Sequence, residues 1–154
     1  MAVFGIFVSL SLLVVAPAFA APGGKDSPAN DNPQNLYLYE KDASWNIIWD
    51  GAWGKYNYKL SGEDISGVFN GHGLVPGTDY TLVEYNGWPS VTVIGNDVAD
   101  AAGNVHIAGT ANVGSGGEAP GVYKIWLVQS SEITAGNLNT WPLTGVLWEH
   151  NLIQ

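Results

Sequence analysis

The chain has 154 residues, and 5 lysines against 14 Asp and Glu residues give it a formal net charge of −9 at pH 7. Because it contains no arginine and so few lysines, it lacks the clustered basic side chains that contact phosphates, which excludes nucleic acid as a partner. It also has no cysteine, which excludes thiolate-bound metals, thiol catalysis and disulfides.

The first 20 residues have the pattern of an export signal. Residues 3–15 are almost entirely apolar, and Ala18-Phe19-Ala20 is the small-x-small pattern that a signal peptidase accepts. The apolar run is too short to span a bilayer. We therefore expect residues 1–20 to be a signal peptide, the mature chain to be secreted or at the cell surface, and no membrane insertion to follow cleavage.

A change in composition divides the rest of the chain in two. Residues 21–34, APGGKDSPANDNPQ, contain no large apolar side chain, which predicts a flexible arm or linker. From residue 35 onward the chain is rich in aromatic and β-branched residues interrupted by glycines. Its length suits a single hydrophobic core, so residues 35–154 are predicted to form one domain.

Alternation of apolar and polar residues is the dominant pattern in this domain and indicates half-buried antiparallel strands. In residues 53–60, for example, Tyr56, Tyr58 and Leu60 share one face, while two lysines and an asparagine share the other. Residues 123–129 are apolar on both faces apart from Lys124, as expected of a central strand. The predicted strands are residues 36–40, 53–60, 65–70, 80–85, 91–94, 105–113, 123–129 and 145–153.

Glycine-containing turns separate these strands. Asp50-Gly51 and Asn86-Gly87 are predicted to be tight hairpin turns, in which both central residues need positive φ. Residues 100–104 are predicted to form a type I turn with a glycine bulge. About eight short strands without an amphipathic helix predict an all-β fold, a single immunoglobulin-like or dismutase-like antiparallel β-sandwich. We expect the last strand to lie at a sheet edge, and the long connection over residues 130–142 to hold a short helical turn.

The segment Leu74-Val-Pro-Gly-Thr-Asp-Tyr80 resembles the Leu-x-Pro-Gly-Thr-x-Tyr segment of fibronectin type III domains, where a tyrosine corner joins strands of opposite sheets. The resemblance covers residues 73–82 and implies the corner and the sandwich, not the full topology. The residue types suit a corner, because Pro76 fixes φ, Gly77 permits a type II turn, and the Tyr80 hydroxyl can bond backbone upstream. Together with Leu74, which would seal the core, these residues are predicted to be structural.

A second resemblance is to the copper–zinc superoxide dismutase sandwich and the related CHRD domains, through Gly-Leu-x-Pro-Gly, a Gly-Asn turn and Val-x-Ile-x-Gly. In the dismutases a His-x-His metal pair follows Pro-Gly, whereas here that strand reads Tyr80-Thr-Leu-Val-Glu84. The resemblance therefore implies the sandwich without the enzymatic activity. The segments DGAWGKYNY, FNGHGLVPGTDYTL, GNVHIAG and KIWLV also resemble small exported proteins of unknown function in archaea and bacteria, which implies no activity.

Residues that could bind metal ions do not form a recognised pattern. The three histidines are His72, His106 and His150. They are far apart in the sequence, whereas a zinc or copper site needs three or four converging ligands. Asp97, Asp100 and Asn104 could bind calcium, but such residues also cap turns by accepting bonds from nearby backbone N–H groups. We predict no metal site and no other cofactor.

Catalytic motifs are not found in the sequence. It contains neither Gly-x-Ser-x-Gly nor a phosphate-binding loop, and no motif places two of the carboxylates at the separation of a glycosidase pair. The sequence therefore predicts a protein that is not an enzyme.

The seven tryptophans are candidates for a binding surface. Trp88 and Trp141 each precede a proline, which favours a loop position. Exposed rings on the rim of a sandwich, surrounded by acids and asparagines, would suit stacking against sugars, with Trp45, Trp88 and Trp141 as the platforms. In the alternative interpretation, a cysteine-free domain uses its large rings to fill the core and cover sheet edges.

Three hypotheses follow for the function. The first is a non-catalytic, secreted or cell-surface β-sandwich with a structural, adhesive or assembly role, which could associate with itself by strand addition. The second is a carbohydrate-binding, lectin-like module that uses exposed tryptophans to bind a cell-surface polysaccharide. The third is a metal-dependent enzyme of dismutase ancestry.

Overall fold

A computed structural model describes residues 34–116 and 121–153. The predicted signal peptide, residues 1–20, lies outside this described part. The predicted arm, residues 21–34, also lies outside it apart from Gln34, which begins the first strand.

The described residues form a β-rich domain whose strands are joined in one large sheet and one small hairpin. The strands are β1 (Gln34–Tyr39), β2 (Trp53–Ser61), β3 (Asp64–His72), β4 (Asp79–Tyr85), β5 (Val91–Val98), β6 (Val105–Asn112), β7 (Ile125–Gln129), β8 (Ile133–Thr134), β9 (Asn137–Leu138) and β10 (Leu147–Glu149). A short 3-10 helix, Ser130–Glu132, precedes β8. The large sheet has the order β5-β4-β7-β10-β1-β2-β3-β6, and β8 pairs with β9. All these pairs are antiparallel.

The eight-stranded sheet curls until its two end strands meet, which confirms the predicted all-β antiparallel fold in the form of a nearly closed, barrel-like sandwich. At the meeting point Gly95 of β5 lies against Gly109 of β6. A Cβ atom on Gly109 would collide with the carbonyl oxygen of Ile94, and one on Gly95 would lie 3.0 Å from the carbonyl oxygen of Ala108. Glycine is therefore required on both strands for the backbones to approach this closely.

Alternate residues of the strands point into the barrel and form its core. In β2 the apolar side chains of Tyr56, Tyr58 and Leu60 are buried while Asn57 and Lys59 are exposed, as the alternation in the sequence predicts. A second, smaller apolar cluster lies on the outer face of β4 and β7, beneath the segment that carries β8 and β9. Its buried members are Val83, Val91, Trp126, Val128, Leu138 and Val146.

Expectations about the last strand and about two of the turns are wrong. Strand β10 lies between β7 and β1, not at an edge, because Leu147 and Trp148 pair with β7 while Trp148 and Glu149 pair with β1. Asp50-Gly51 is not a tight hairpin turn, since Gly51 lacks positive φ and the whole segment 40–52 connects β1 to β2.

The tight turns lie elsewhere. The β2–β3 turn has Gly62 at its first central position with φ of 62°, and the β8–β9 turn has Ala135 and Gly136 at φ of 49° and 75°. The tight turn predicted at Asn86-Gly87 is also wrong: these residues do lie between the paired strands β4 and β5, but within a five-residue loop, residues 86–90, and only Gly87 has positive φ. In residues 100–104, the N–H of Gly103 donates to the carbonyl of Asp100 at 3.0 Å, and the φ of Gly103 is 77°.

The corner residues connect β3, near one end of the sheet order, to β4, near the other. The N–H of Thr78 donates to the carbonyl of Val75 at 3.2 Å, and Gly77 has φ of 75°, as a type II turn around Pro76 requires. Tyr80 is buried, and its hydroxyl accepts a hydrogen bond from the N–H of Val75 at 3.2 Å. Leu74 is also buried, so the corner is held by core packing on both sides of the turn.

Removing the Tyr80 hydroxyl is expected to weaken the corner. Tyr80→Phe leaves the N–H of Val75 without its partner and should lower the free energy of unfolding by about 1–2 kcal/mol. Tyr56→Phe is the matched control, because Tyr56 is equally buried but its hydroxyl has no hydrogen-bond partner among the described residues. Loss of the Tyr56 hydroxyl should leave the free energy of unfolding unchanged or raise it slightly. Urea unfolding at constant m-value measures both, and equal effects of the two substitutions would contradict this account of the corner.

Candidate functional site

Three aromatic rings stand side by side on the outer face of three neighbouring strands. Tyr85 at the end of β4 stacks on Trp126 of β7 with ring centroids 4.2 Å apart, and Trp126 contacts Trp148 of β10 edge-on at 4.6 Å. The residues that alternate with them, such as Leu127 and Leu147, face the core. The row is therefore a direct product of strand register, because Trp126 and Trp148 are paired residues in the β7–β10 ladder.

Three exposed tryptophans from distant loops lie next to this row, two of them in direct contact with it. Trp45 and Trp141 contact Trp148 with centroids 5.0 and 5.9 Å apart, and Trp88 contacts Trp141 at 6.2 Å. The exposed fractions of Trp45, Trp88 and Trp141 are 57%, 50% and 54%. The structure thus brings together the three tryptophans that the sequence analysis proposed as platforms.

The rings enclose two adjoining clefts, which we call together the aromatic groove. The larger cleft, of about 480 Å³, is lined by Trp45, Tyr85, Trp88, Lys124, Trp126 and Trp141. The smaller, of about 340 Å³, has Lys41, Asp42, Leu143 and Trp148 among its lining residues, and it shares Trp45 and Trp141 with the first. The groove is open to solvent, mostly apolar and bordered by a few charged side chains, which is the usual character of a ligand site.

The loop that carries Trp45 is held by the side chain of Asp42. Its Oδ1 accepts hydrogen bonds from the N–H groups of Asn46 and Ser44 at 2.9 and 2.8 Å, and its Oδ2 accepts one from the Asn46 side chain at 3.1 Å. These bonds, above all those from Asn46, lower the pKa of the carboxyl. Trp45 itself has φ of 66°, and its N–H donates to the carbonyl of Asp42 at 2.9 Å. A bulky residue in this left-handed conformation is uncommon and persists only where its surroundings impose it. Here the imposed conformation places a large ring in solvent at the groove.

The loops that carry Trp88 and Trp141 are tied to each other. Ser90 and Asn137 form an isolated bridge, and the N–H of Leu138 donates to the carbonyl of Pro89 at 2.8 Å. Both tryptophans precede proline through a cis peptide bond. On the far side of Trp141, Oε1 of Glu132 accepts hydrogen bonds from Thr144, from its N–H at 2.9 Å and from its hydroxyl at 2.8 Å. The rings are therefore mounted on hydrogen-bonded loops.

Two lysines lie over rings of the groove, and a carboxylate lies close to both. The ammonium of Lys41 is 6.0 Å from the Trp45 ring centroid and donates to the carbonyl of Glu149 at 2.9 Å, and that of Lys124 is 5.6 Å from the Tyr85 centroid. Burial raises the pKa of the Glu149 side chain to about 7, against the opposing effects of its own N–H, Lys41, the Trp126 indole and Lys124. The Trp126 Nε1 is near enough to act on this pKa, yet neither it nor Glu149 Oε2 meets the geometry of a hydrogen bond.

Two of the candidate calcium ligands, Asp100 and Asn104, lie in the turn over residues 100–104, whereas Asp97 lies in β5. Oδ1 of Asp100 accepts from the N–H groups of Ala102 and Asn104 at 2.8 and 2.9 Å, and Asp97 accepts from the N–H of Val98 at 2.8 Å. Within residues 34–116 and 121–153, no group of three or more His, Asp or Glu side chains is placed to hold a metal ion.

The three histidines occupy separate surroundings. Nδ1 of His72 is hydrogen bonded to Asn104 at 2.9 Å, and Nδ1 of His106 to Asn70 at 2.8 Å. The ring of His150 contacts Tyr39 instead, with centroids 5.8 Å apart.

The sequence analysis did not identify the aromatic row beneath the groove or the charged side chains at its border. The sequence analysis selected none of the lining residues Tyr85, Trp126, Trp148, Lys41 and Lys124, nor Glu149, which interacts with both lysines but lines neither cleft. A usable signal existed for one pair, because Lys124 and Trp126 are two positions apart on a strand and so share a face. Trp148 and Glu149 had no such signal, since their position depends on which strands flank β10.

Replacing Asp42 is expected to loosen the Trp45 loop without unfolding the domain. Asp42→Ala removes the acceptor of the Ser44 and Asn46 N–H groups, so their hydrogen exchange should accelerate about tenfold or more. Exchange in β1 should stay unchanged. Asp50→Ala is the control, because Asp50 is an exposed acid of the same connection. Unchanged exchange at Ser44 and Asn46 in Asp42→Ala would show that another contact holds the loop.

Glu149 is expected to make stability depend on pH. Its pKa is raised from 4.5 to about 7 on folding, so the stabilisation of the protonated form is complete below pH 4.5 and is lost as pH rises through 7. Relative to Glu149→Gln, the wild-type free energy of unfolding should fall by up to about 3 kcal/mol over this range. Glu63→Gln, in the exposed β2–β3 turn, controls for the loss of one charge. Parallel pH profiles for wild type and Glu149→Gln would refute this.

Within the described residues, no helix has the length and apolar character needed to cross a bilayer.

Comparison with models of known protein families, with curated protein sequences and with solved structures finds no match to this chain. The proposals that follow therefore rest on the geometry and chemistry of the aromatic groove.

Proposed function

We propose that this protein is a non-catalytic, exported carbohydrate-binding module that holds a polysaccharide in the aromatic groove. The observation that carries the proposal is the convergence of Trp45, Trp88 and Trp141, each about half exposed, on one groove. Sugar rings present C–H groups on their faces, which pack against indole rings, while their hydroxyls remain free to bond polar groups at the border. A groove with several such rings suits consecutive residues of one chain.

The exposure of these rings argues against a role in packing alone. Removing apolar area from water stabilises a fold by about 25 cal/mol per Å², so a ring recruited for stability gains most when buried. Here three rings remain half in solvent, next to buried Trp126. The left-handed backbone conformation of Trp45 also supports a binding role, since strained backbone is concentrated at functional positions. A contiguous exposed aromatic surface of this kind is typical of a binding site.

Adhesion at the cell surface is the biological role that fits a sugar-binding module with an export signal. It combines the structural and adhesive hypothesis with the carbohydrate-binding one. Self-assembly through the last strand has no support, because β10 is already paired on both sides. No observation on the described residues favours the metal-dependent enzyme over a binding protein.

Titration with a panel of polysaccharides in solution tests the proposal through tryptophan fluorescence and calorimetry. Binding should shift the emission of the exposed rings, and Trp45→Ala, Trp88→Ala and Trp141→Ala should each weaken affinity by about tenfold, or 1.4 kcal/mol. Trp49→Ala is the matched control, because Trp49 is 64% exposed but contacts Tyr39 outside the groove.

The same experiment can refute the proposal in two ways. Absence of binding to every neutral and charged polymer in the panel would remove the function. Binding that is weakened equally by Trp49→Ala and by the three groove substitutions would show that affinity is not located in the groove. Unfolding midpoints of all four variants verify that each domain remains folded.

A further inference from the structure

The exposed tryptophans of the aromatic groove do not share a plane. The ring planes of Trp88 and Trp141 meet at 86°, with their centroids 6.2 Å apart. The ring of Trp148 is inclined at 63° to that of Trp141 and at 66° to that of Trp45. No flat surface can therefore lie parallel to both Trp88 and Trp141, although each of these two rings is about half exposed.

Contacts within and behind the groove hold this arrangement. Trp88 and Trp141 meet edge to face, the orientation that the charge distribution of aromatic rings favours, so turning either ring parallel to the other would break their contact. The loops that carry the two rings are joined through the bridge between Ser90 and Asn137. The angle between the rings is thus a property of the folded protein and not of one side chain.

The surface that a ligand meets is also concave. The larger cleft, of about 480 Å³, is lined by buried Trp126 together with Trp45, Trp88 and Trp141, which remain about half exposed. Its volume suits a short part of a polymer, since ligand pockets commonly span about 300–1,000 Å³. A rigid face of packed chains could contact only the rim of such a cleft, whereas a single chain can enter it.

Polysaccharides differ in whether their sugar faces are free to turn. In a crystalline polymer, neighbouring chains hold the sugar rings of an exposed face parallel, so that this face matches a flat row of aromatic rings. A free chain rotates about its glycosidic bonds and can present successive sugar faces in different directions. Stacking on both Trp88 and Trp141 requires that freedom, because their planes are nearly perpendicular.

We propose that the aromatic groove binds a single polysaccharide chain that is free to twist, as in a soluble or amorphous polymer, and does not bind the face of a crystalline one. Trp45 and Trp141 are the central contacts of such a chain, because their rings line both clefts. This inference rests on the proposed carbohydrate-binding function and adds the physical form of the polymer that the groove accepts.

Oligosaccharides test whether one chain is sufficient. They are prepared from the polymer that binds most tightly in the solution panel, and they are titrated from disaccharide to hexasaccharide by calorimetry. Affinity should rise with length until the chain spans both clefts, and the hexasaccharide should bind within about threefold of the affinity of the polymer per binding site. A polymer that binds while none of its oligosaccharides binds would show that the site needs several ordered chains, which overturns the inference.

Two physical forms of one polymer test the exclusion of a crystalline face. Amorphous cellulose is compared with microcrystalline cellulose, and amorphous chitin with crystalline chitin, by depletion of the protein from solution at equal accessible surface. The amorphous form of a bound polymer should bind about tenfold or more tightly than its crystalline form. Crystalline binding that equals or exceeds amorphous binding overturns the inference. Where neither cellulose nor chitin is bound, the oligosaccharide titration decides alone.

Substitutions test whether the single chain lies in the groove. Trp141→Ala should weaken binding of the hexasaccharide about tenfold, and Trp141→Phe should retain more of the affinity because it keeps an aromatic face. Trp49→Ala is the control and should bind the hexasaccharide as the wild type does, since Trp49 contacts Tyr39 outside the groove. Hexasaccharide affinity that Trp141→Ala leaves unchanged would place the chain elsewhere and overturn the inference.

The outcomes separate the two proposals. Binding that depends on the groove tryptophans but fails for every oligosaccharide, or that is as tight on a crystalline face, overturns the single-chain inference and leaves the proposed function standing. Failure of every polymer, in soluble, amorphous and crystalline form, overturns both.

Discussion

The pairing of β10 with β7 on one side and β1 on the other is the constraint on which the groove depends. It sets Trp148 beside Trp126, and Trp148 is the ring on which both Trp45 and Trp141 rest. A slip of one residue in either ladder would turn Trp148 toward the core and Leu147 toward solvent. The buried apolar side chains of β10 and its neighbours make that slip costly, so the core fixes the geometry of the outer surface.

Loops supply the exposed part of the site, and polar contacts hold each of them in place. Asp42 orders the Trp45 loop, the Ser90–Asn137 bridge joins the loops of Trp88 and Trp141, and Glu132 closes the segment that follows Trp141. A stacking surface needs such order, because a mobile ring would lose conformational entropy on binding and so reduce affinity. The strands thus supply the row of Tyr85, Trp126 and Trp148, and the loops supply the exposed tryptophans.

The aromatic groove carries charged side chains of both signs. Carboxylates contribute to the charge of the groove as well, because Asp42 lines the same cleft as Lys41 and its loop hydrogen bonds favour its ionised form. Burial raises the pKa of the nearby Glu149 carboxyl, and its own N–H, Lys41, the Trp126 indole and Lys124 offset this effect only in part.

Local patterns in the sequence determined where the longer strands lie, which of their residues face the core, and the chemistry of the corner at Pro76, Gly77 and Tyr80. They did not predict the short strands β8 and β9, and they made the last strand longer than the observed Leu147–Glu149. They succeed because alternation and turn preferences act over a few residues. Only the tertiary structure decided that β10 lies inside the sheet and that a long connection joins β1 to β2 in place of a turn at Asp50-Gly51. It also decided that Lys124 lines the groove and that Glu149 lies near it. Strand order and register depend on contacts between residues distant in the chain, and short-range patterns carry no information about which distant strands pair.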